Sequence, residues 1–432
     1  MTVQASLLLL SSFALLLVVG VPIAICIAVS SIVTVLLISP FDGSVFTAAQ
    51  KMITSLDTFS LLAVPFFILA GVIMNNGGIA LRLVNFAKLV SGRAPGALAQ
   101  TNVVGNMLFG ALSGSAIAAS TSIGGVMVPM GVKEGYDARF SAAANIASAP
   151  TGMLIPPTTS FIIFAIISGG TSVAALFMGG AVAGALWGLG VMVVTHIIAR
   201  RHGYAAAERI PASMVLKVIV DALPSLLMIV IVIGGIVAGV FTAIEASAVA
   251  VLYTALLAFG LYRTLPLSRL PSVLVQTAEM TGIIMFLLAA SSAMSFAMAY
   301  TGIPQALSEL ILAISQDKLV VLLIINIMLL VVGTFLDIGP AILIFTPILL
   351  PIATKVGVDP VHFGVILVFN LCIGTITPPV GTGLFVGASV ARLRIEQVIR
   401  PLLPFYAAII AVLMLVTYVP ALTLALPRAL GL

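Results

Sequence analysis

Apolar residues along this chain run in blocks of about twenty rather than alternating, and Gly, Pro and charged residues fall between the blocks. A hydrocarbon core about 30 Å thick takes roughly 20 helical residues to cross. The pattern therefore predicts spans near residues 5–20, 22–38, 58–76, 172–199, 218–240, 245–262, 272–300 and 401–426. The stretch 5–38 admits either one long tilted helix or two short ones turning at Gly20-Val21-Pro22. Four other stretches behave differently. Segments 97–131 and 319–351 are interrupted at their centres by Ser113-Gly114-Ser115 and by Asp337-Ile338-Gly339-Pro340. Each arm, about 15 residues at 1.5 Å apiece, rises only about 22 Å, so both segments are predicted to be re-entrant helical hairpins. Segments 137–168 and 359–391 are long enough to cross but carry Pro156-Pro157 and Pro378-Pro379 at mid-length. Adjacent prolines remove two backbone donors and push the preceding residue out of the α region, which predicts two broken helices. The segment 304–318, with Glu309 and Asp317, is expected to form an amphipathic helix at the outer surface.

Composition makes the membrane setting firm. The 432 residues are 62% apolar and 7% charged, with mean hydropathy +1.31, whereas a soluble domain carries about 25% charged residues. That excludes a soluble enzyme, a nucleic-acid binder and a disordered chain; the unbroken apolar runs exclude an outer-membrane barrel, whose strands alternate. The net charge of +5 is then a matter of topology. With ten crossings and two hairpins, fourteen of the eighteen basic residues fall on one side: Arg82, Lys88, Arg93, Lys133, Arg139, Arg200, Arg201, Arg209, Lys217, Arg263, Arg269, Arg392, Arg394 and Arg400. Lys51, Lys318, Lys355 and Arg428 take the other. The basic side is expected to be cytoplasmic, which turns both termini outward. Residues 1–4 carry no basic residue, so the first apolar run is expected to be a mature span rather than a signal peptide. Cys26 and Cys372 lie far apart in apolar runs and read as small core hydrophobes. His196, His202 and His362 share no spacing and are expected at interfaces, and the single Trp187 cannot build an aromatic cage.

The two halves repeat at one constant offset along the chain. Pro129, Lys133, Gly135, Asp137, Gly152, Pro156 and Pro157 fall on Pro351, Lys355, Gly357, Asp359, Gly374, Pro378 and Pro379. The matches are the unusual residues, each in the same predicted element. The fold class expected is thus an all-α polytopic membrane protein of two repeats: residues 1–200, a cytoplasmic connector at 201–217, and residues 218–432. Five crossings plus a hairpin in each unit invert the second relative to the first. Inverted repeats with paired broken helices point to a secondary transporter with its site near the midplane.

The candidate chemistry lies at the tips and breaks. Unwound backbone at membrane depth must be buried in protein or line a watery cavity. Freed carbonyls and hydroxyls are hard oxygen ligands for Na⁺, and half-helix N-termini attract anions. In the first unit the candidates are Ser113, Gly114, Ser115, Gly152, Pro156, Pro157, Thr158 and Ser160; in the second, Asp337, Gly339, Gly374, Thr375, Thr377, Pro378 and Gly381. Singly, Ser-Gly-Ser fits a close helix contact and Pro-Pro a kink; the mirrored combination favours an ion or substrate site, one Na⁺ region at each tip and break. Asp337 is the sharpest residue, because a carboxylate at that depth is a functional candidate by default. Glu245 and Glu279 fit interfacial roles equally well. No Lys or Arg occupies a tip or a break.

At these residues the chain resembles the large membrane subunit of tripartite ATP-independent periplasmic (TRAP) transporters, the DctM/SiaM-like family. The matching stretches are residues 60–71, 112–116, 155–158, 239–246, 344–351, 359–364 and 374–381. The likeness runs end to end, and it departs mildly at Thr158, where Ser is the family's residue. The resemblance implies an elevator architecture, import of an organic anion such as a C4-dicarboxylate or sialic acid, and coupling to Na⁺. It further implies a soluble periplasmic binding protein, a separate small four-helix membrane subunit and a bacterial inner membrane. No organic cofactor and no nucleic-acid partner are expected. Two other readings compete: a stand-alone anion/Na⁺ symporter of related architecture, and an intramembrane hydrolase. The hydrolase would need a Ser–His, paired-Asp or metal arrangement that no spacing here provides.

Overall fold

The computed structural model describes residues 2–37, 40–92, 95–204 and 212–432, and every regular element among them is helical. Arg93, Arg209 and the central part of the 201–217 connector lie outside the described residues. The first half contains α1 (Thr2–Val18), α2 (Ile23–Val35), α3 (Phe41–Leu56), α4 (Ala63–Asn76), α5 (Ile79–Ser91), α6 (Ala97–Ser113), α7 (Ala116–Ser122), α8 (Gly124–Lys133), α9 (Ala138–Ser148), α10 (Thr159–Ile167) and α11 (Val173–His202). The second contains α12 (Ala212–Val237), α13 (Ala243–Ala255), α14 (Leu270–Thr301), α15 (Ile303–Ile314), α16 (Lys318–Gly333), α17 (Ile338–Lys355), α18 (Pro360–Gly374), α19 (Thr382–Val390), α20 (Ile395–Tyr418) and α21 (Ala421–Ala429). Eight helical stretches among the described residues are long and apolar enough to cross a membrane.

The ambiguous segment 5–38 is two helices, α1 and α2, because Gly20 takes a left-handed φ of +86° and Pro22 starts the second. Two elements depart from the sequence expectation. Residues 41–56 fold as α3, although Asp42, Gln50, Lys51 and several hydroxyls make the segment too polar for a span. Its buried positions Ser44 and Ala48 are small, which suits close packing on α14. Residues 79–91 fold as α5, with Ile79, Leu83, Val84 and Ala87 buried at helical spacing and Arg82 and Lys88 off that face. The last span also differs: α20 starts at Ile395 and stops at Tyr418, and after Pro420 the short α21 packs on α11.

Both interrupted segments turn where expected. Gly114 at φ +63° ends α6. Ser115 then caps α7, its hydroxyl accepting from the Ala118 amide at 3.3 Å. The second arms run slightly beyond the expected ends at 131 and 351, to Lys133 and Lys355, and accommodate Pro129, Pro347 and Pro351. Both Pro-Pro pairs, in cis, separate helical halves, α9 from α10 and α18 from α19. The shift that carries Pro129 onto Pro351 also carries the starts of α7, α9 and α11 onto those of α17, α18 and α20, and the end of α8 onto that of α17.

The centre of the molecule is α18, buried at every position from His362 to Gly374. Its neighbours contribute Trp187, Phe164 and Phe405, all fully buried. At the periphery stands α12, which buries only a stripe containing Ala222, Ser225, Met228, Val232 and Ile236. Five basic residues are placed at two ends by their contacts. Lys51 lies 5.4 Å over the Phe296 ring near the close of α14, Lys355 reaches Ser308 of α15 at 3.2 Å, and Lys318 donates to the Gly357 carbonyl at 3.0 Å. At the opposite end, Arg82 stacks on Tyr262 at 3.8 Å and Lys88 approaches Met130.

Candidate functional site

The first tip sits on its own broken helix. Gly110 of α6 and Gly152, in the 3₁₀ turn Ala149–Met153 after α9, touch backbone to backbone: a Cβ on Gly110 would stand 2.3 Å from the Gly152 Cα. That approach brings Gly114 toward the Pro157 carbonyl and Thr158. Thr158 is buried and caps α10 by accepting from the Ser160 amide at 3.1 Å. Pro156 and Pro157 form the break itself. Ser113 Oγ is buried with no hydrogen-bond partner, an oxygen whose lone pairs are unused.

The second tip is built the same way. Gly374, at the end of α18, packs on Gly333 of α16, with a Gly374 Cβ falling 2.3 Å from the Gly333 carbonyl. The Val380 amide, just past Pro378 and Pro379, donates to the Thr334 carbonyl at 3.2 Å. Thr375 Oγ1 donates to Cys372 and Thr377 Oγ1 to Ile373, each at 2.7 Å. A hydroxyl committed as donor to a carbonyl keeps its lone pairs for a cation. Gly381 precedes α19 where a Cβ would press on the Thr377 carbonyl at 2.7 Å. Asp137, Asp317 and Asp359 all cap their helices through the carboxylate, but Asp337 makes no such capping bond at α17. Its carboxylate faces the Ile338 amide and the hydroxyl of Thr382 instead.

The two halves of the chain interlock at these points. The second arm α17 packs against α10, and α7 packs against α19, so each hairpin is braced by the broken helix of the other half. As a result Asp337 and Gly339 share a cavity of about 250 Å³ with Thr159 and Ser160, closed on one side by Met280, Ile283 and Leu287 of α14. Asp337 is exposed at the open side of this cavity, and a Cβ on Gly339 would meet only open space. No basic residue lines this cavity. On the other side of α10, a larger cleft of about 560 Å³ is lined by Thr58, Ser60, Thr171, Ser172 and Thr242. Of the residues singled out in the sequence, Ser160, Asp337 and Gly339 thus meet in one cavity. Ser113, Gly114, Pro157 and Thr158 form a separate cluster, and Gly374 to Gly381 support the second tip from behind.

Buried amides complete the picture, and sequence reading passed over them. Asn106 Nδ2 donates to Asn145 Oδ1 at 3.0 Å and Ser148 Oγ at 2.8 Å; Asn145 Nδ2 donates to Ser120 Oγ at 3.0 Å. In the second half Asn370 Nδ2 donates to Asn326 Oδ1 at 2.7 Å, and Asn326 Nδ2 to Thr417 at 3.0 Å. These polar links tie hairpin arms to broken helices in a setting where water cannot compensate a lost bond. The signal was available as four Asn within apolar runs, but their pairing depends on contacts 39 and 44 residues apart. Two freed carbonyls also find donors on the long helices: Trp187 Nε1 reaches Ala147 at 2.8 Å, and the Tyr406 hydroxyl reaches Ile376. His362 lies in the first turn of α18. It is buried, with its ring nitrogens on Thr423 Oγ1 at 2.7 Å and the Thr417 carbonyl at 3.1 Å, because the turn between α20 and α21 closes over it.

Comparison with known proteins agrees with this architecture. The family model for the DctM component of tripartite ATP-independent periplasmic transporters matches residues 10–422. The chain is 51% identical over 419 residues to the uncharacterized protein YgiK of Salmonella typhimurium, covering 97% of this chain and 96% of that one. It is 39% identical over 402 residues to the C4-dicarboxylate TRAP transporter large permease protein DctM of Pseudomonas aeruginosa, covering 93% of each. Among solved structures, the Alcanivorax borkumensis YdaH transporter shares the fold with a TM-score of 0.63 at 14% identity, over 88% of this chain and 89% of that one. A family match over nearly the whole length, an all-helical multi-pass fold and paired hairpins with broken helices lead to one assignment: the chain belongs to the DctM family, as the large membrane permease subunit of a TRAP transporter.

Proposed function

We propose that this subunit imports a small organic anion, a C4-dicarboxylate, sialic acid or a similar carboxylate, in symport with Na⁺. A periplasmic binding protein delivers the substrate and a small four-helix membrane subunit widens the scaffold. The reading places the protein in a bacterial inner membrane with the Arg82 end cytoplasmic and both termini periplasmic. Residues 1–200 and 218–432 are then inverted repeats, and the hairpins with their broken helices move as one elevator unit past a scaffold that includes α12 to α14.

The observation that carries the coupling is Asp337. A carboxylate placed within a membrane-spanning hairpin, lining a cavity with no Lys or Arg beside it, is expensive unless a cation arrives with the substrate. An anion bound there without a cation would add repulsion to desolvation, so carboxylate and Na⁺ enter together. The coupling ions are assigned to two regions. One comprises Ser113, Gly114, Ser115 and the backbone from Gly152 through Pro156 and Pro157 to Thr158. The other comprises Asp337, Gly374, Thr375, Thr377 and the backbone from Pro378 to Gly381. Ser160, Gly339 and the amide end of α10 are left to the substrate, a helix N-terminus being an anion site that needs no buried base.

The test is ion-specific stabilisation of the purified subunit. A ligand that binds only the native state raises stability by RT ln(1 + [L]/Kd). Melting temperature should rise with NaCl but not with KCl at matched ionic strength, and Asp337→Asn should move the Na⁺ midpoint upward by about tenfold or more, about 1.4 kcal/mol. Identical responses to the two salts would contradict the proposal.

A further inference from the structure

Residues 60–71 carry part of the likeness to the family but none of the candidate ion or substrate residues. They make up most of the 3₁₀ turn Phe59–Leu62 and the larger part of α4. That helix packs along α13 and α14, and the Gly77 carbonyl at its end accepts from the Thr264 hydroxyl in the α13–α14 connection, which groups α4 with α12 to α14. The first hairpin is grouped instead with its broken helix, through the Gly110–Gly152 crossing and the Asn106–Asn145 bond. Where the two groups meet, Gly71 lies under the hairpin tip: a Cβ on it would stand 2.9 Å from the Ser113 carbonyl oxygen. One turn further along the same face of α4, Asn75 Oδ1 accepts from the Ser122 hydroxyl of α7 at 2.7 Å.

These contacts differ in kind from those within the hairpin's own group. The bonds that tie the hairpin to its broken helix are buried, so breaking one orphans a polar group. The Asn75–Ser122 bond is reached by solvent, so water takes the place of either partner when it opens. Gly71 contributes no side chain, which lets the tip lie close and leave without unthreading one. We propose, resting on the reading that the hairpins move past a scaffold, that Gly71 and Asn75 form a seat for the first hairpin. The hairpin occupies this seat in one state and leaves it in every transport cycle. Gly71 and Asn75 are positioning residues, acting on transport through where the Ser113 tip sits.

Asn75→Cys/Ser122→Cys puts a thiol pair across the seat, and the native Cys26 and Cys372 are buried. The double variant is reconstituted with the small subunit in proteoliposomes and bridged with a short bifunctional methanethiosulfonate. Uptake of the substrate carried by the binding protein is then measured. Bridging should lower uptake at least about tenfold, and reduction of the bridge should restore it. Uptake unchanged by a completed bridge would overturn the seat. A second pair, Thr171→Cys/Ala243→Cys, spans the larger cleft between the α10–α11 connection and the start of α13. Arrest by that bridge alone would overturn the seat and leave the moving unit standing, whereas uptake through both bridges would overturn the two together. Gly71→Ala sets a methyl against the Ser113 backbone, so it should slow bridging of the Asn75→Cys/Ser122→Cys pair at least about threefold. Gly125→Ala, where a Cβ meets nothing within 4 Å, should not slow it. Equal bridging rates with and without Gly71→Ala would overturn the part given to Gly71, and the bridge formed with Gly71 intact tests the seat whether or not that variant folds.

Discussion

Trp187 and Tyr406 show how single residues make a broken helix tolerable in a membrane. Each break frees carbonyls that no water can reach, and each long helix sends one donor back to them. Trp187→Phe keeps the packing against Phe369 but orphans the Ala147 carbonyl. The expected loss is about 1–3 kcal/mol of stability, read as a lower melting temperature in detergent. Asn145→Ala should lose a comparable amount, since it strips partners from Asn106 and Ser120 together. The hydroxyls at the tips and Asp337 stood out in the sequence because charge and Ser-Gly-Ser are rare inside apolar runs. The amide pairs did not, because one Asn in a span is ordinary until its partner is known, and the role of Trp187 was hidden behind its being alone.

At the scale of elements, the hairpins depend on two glycine crossings, Gly110 with Gly152 and Gly333 with Gly374. Gly374→Ala would drive a methyl against the Gly333 backbone, which cannot yield as a side chain can. Overpacking of this kind typically removes about 1–3 kcal/mol. Because the crossing positions the second tip, Na⁺-specific stabilisation should weaken with it, whereas Gly125→Ala, where a Cβ meets nothing within 4 Å, should leave melting and ion response unchanged. Hairpins and breaks were legible in the sequence because Gly and Pro punctuate long apolar runs. The helices α3 and α5 were not, since a search for uninterrupted apolar blocks passes over short segments of mixed polarity that lie against other helices. The second arms run a few residues past the expected ends at 131 and 351, with Pro129, Pro347 and Pro351 accommodated inside them.

Across the whole molecule, the two halves of the chain cross-brace one another, α17 on α10 and α7 on α19, and this mutual support is what assembles a cavity from both. The order of the long spans, hairpins and breaks followed from hydropathy and from Gly and Pro punctuation, α3 and α5 apart. The cross-bracing did not, because which hairpin meets which broken helix is a matter of tertiary contact. The central claim is that the cavity at Asp337 couples anion entry to Na⁺. Its most direct test is uptake of a radiolabelled C4-dicarboxylate or sialic acid, whichever the cognate binding protein carries, into proteoliposomes holding this chain with its small subunit. With binding protein supplied outside, an inward Na⁺ gradient should drive accumulation, and collapsing the gradient with a Na⁺ ionophore should abolish it. Accumulation that continued unchanged after the gradient was collapsed would contradict the account.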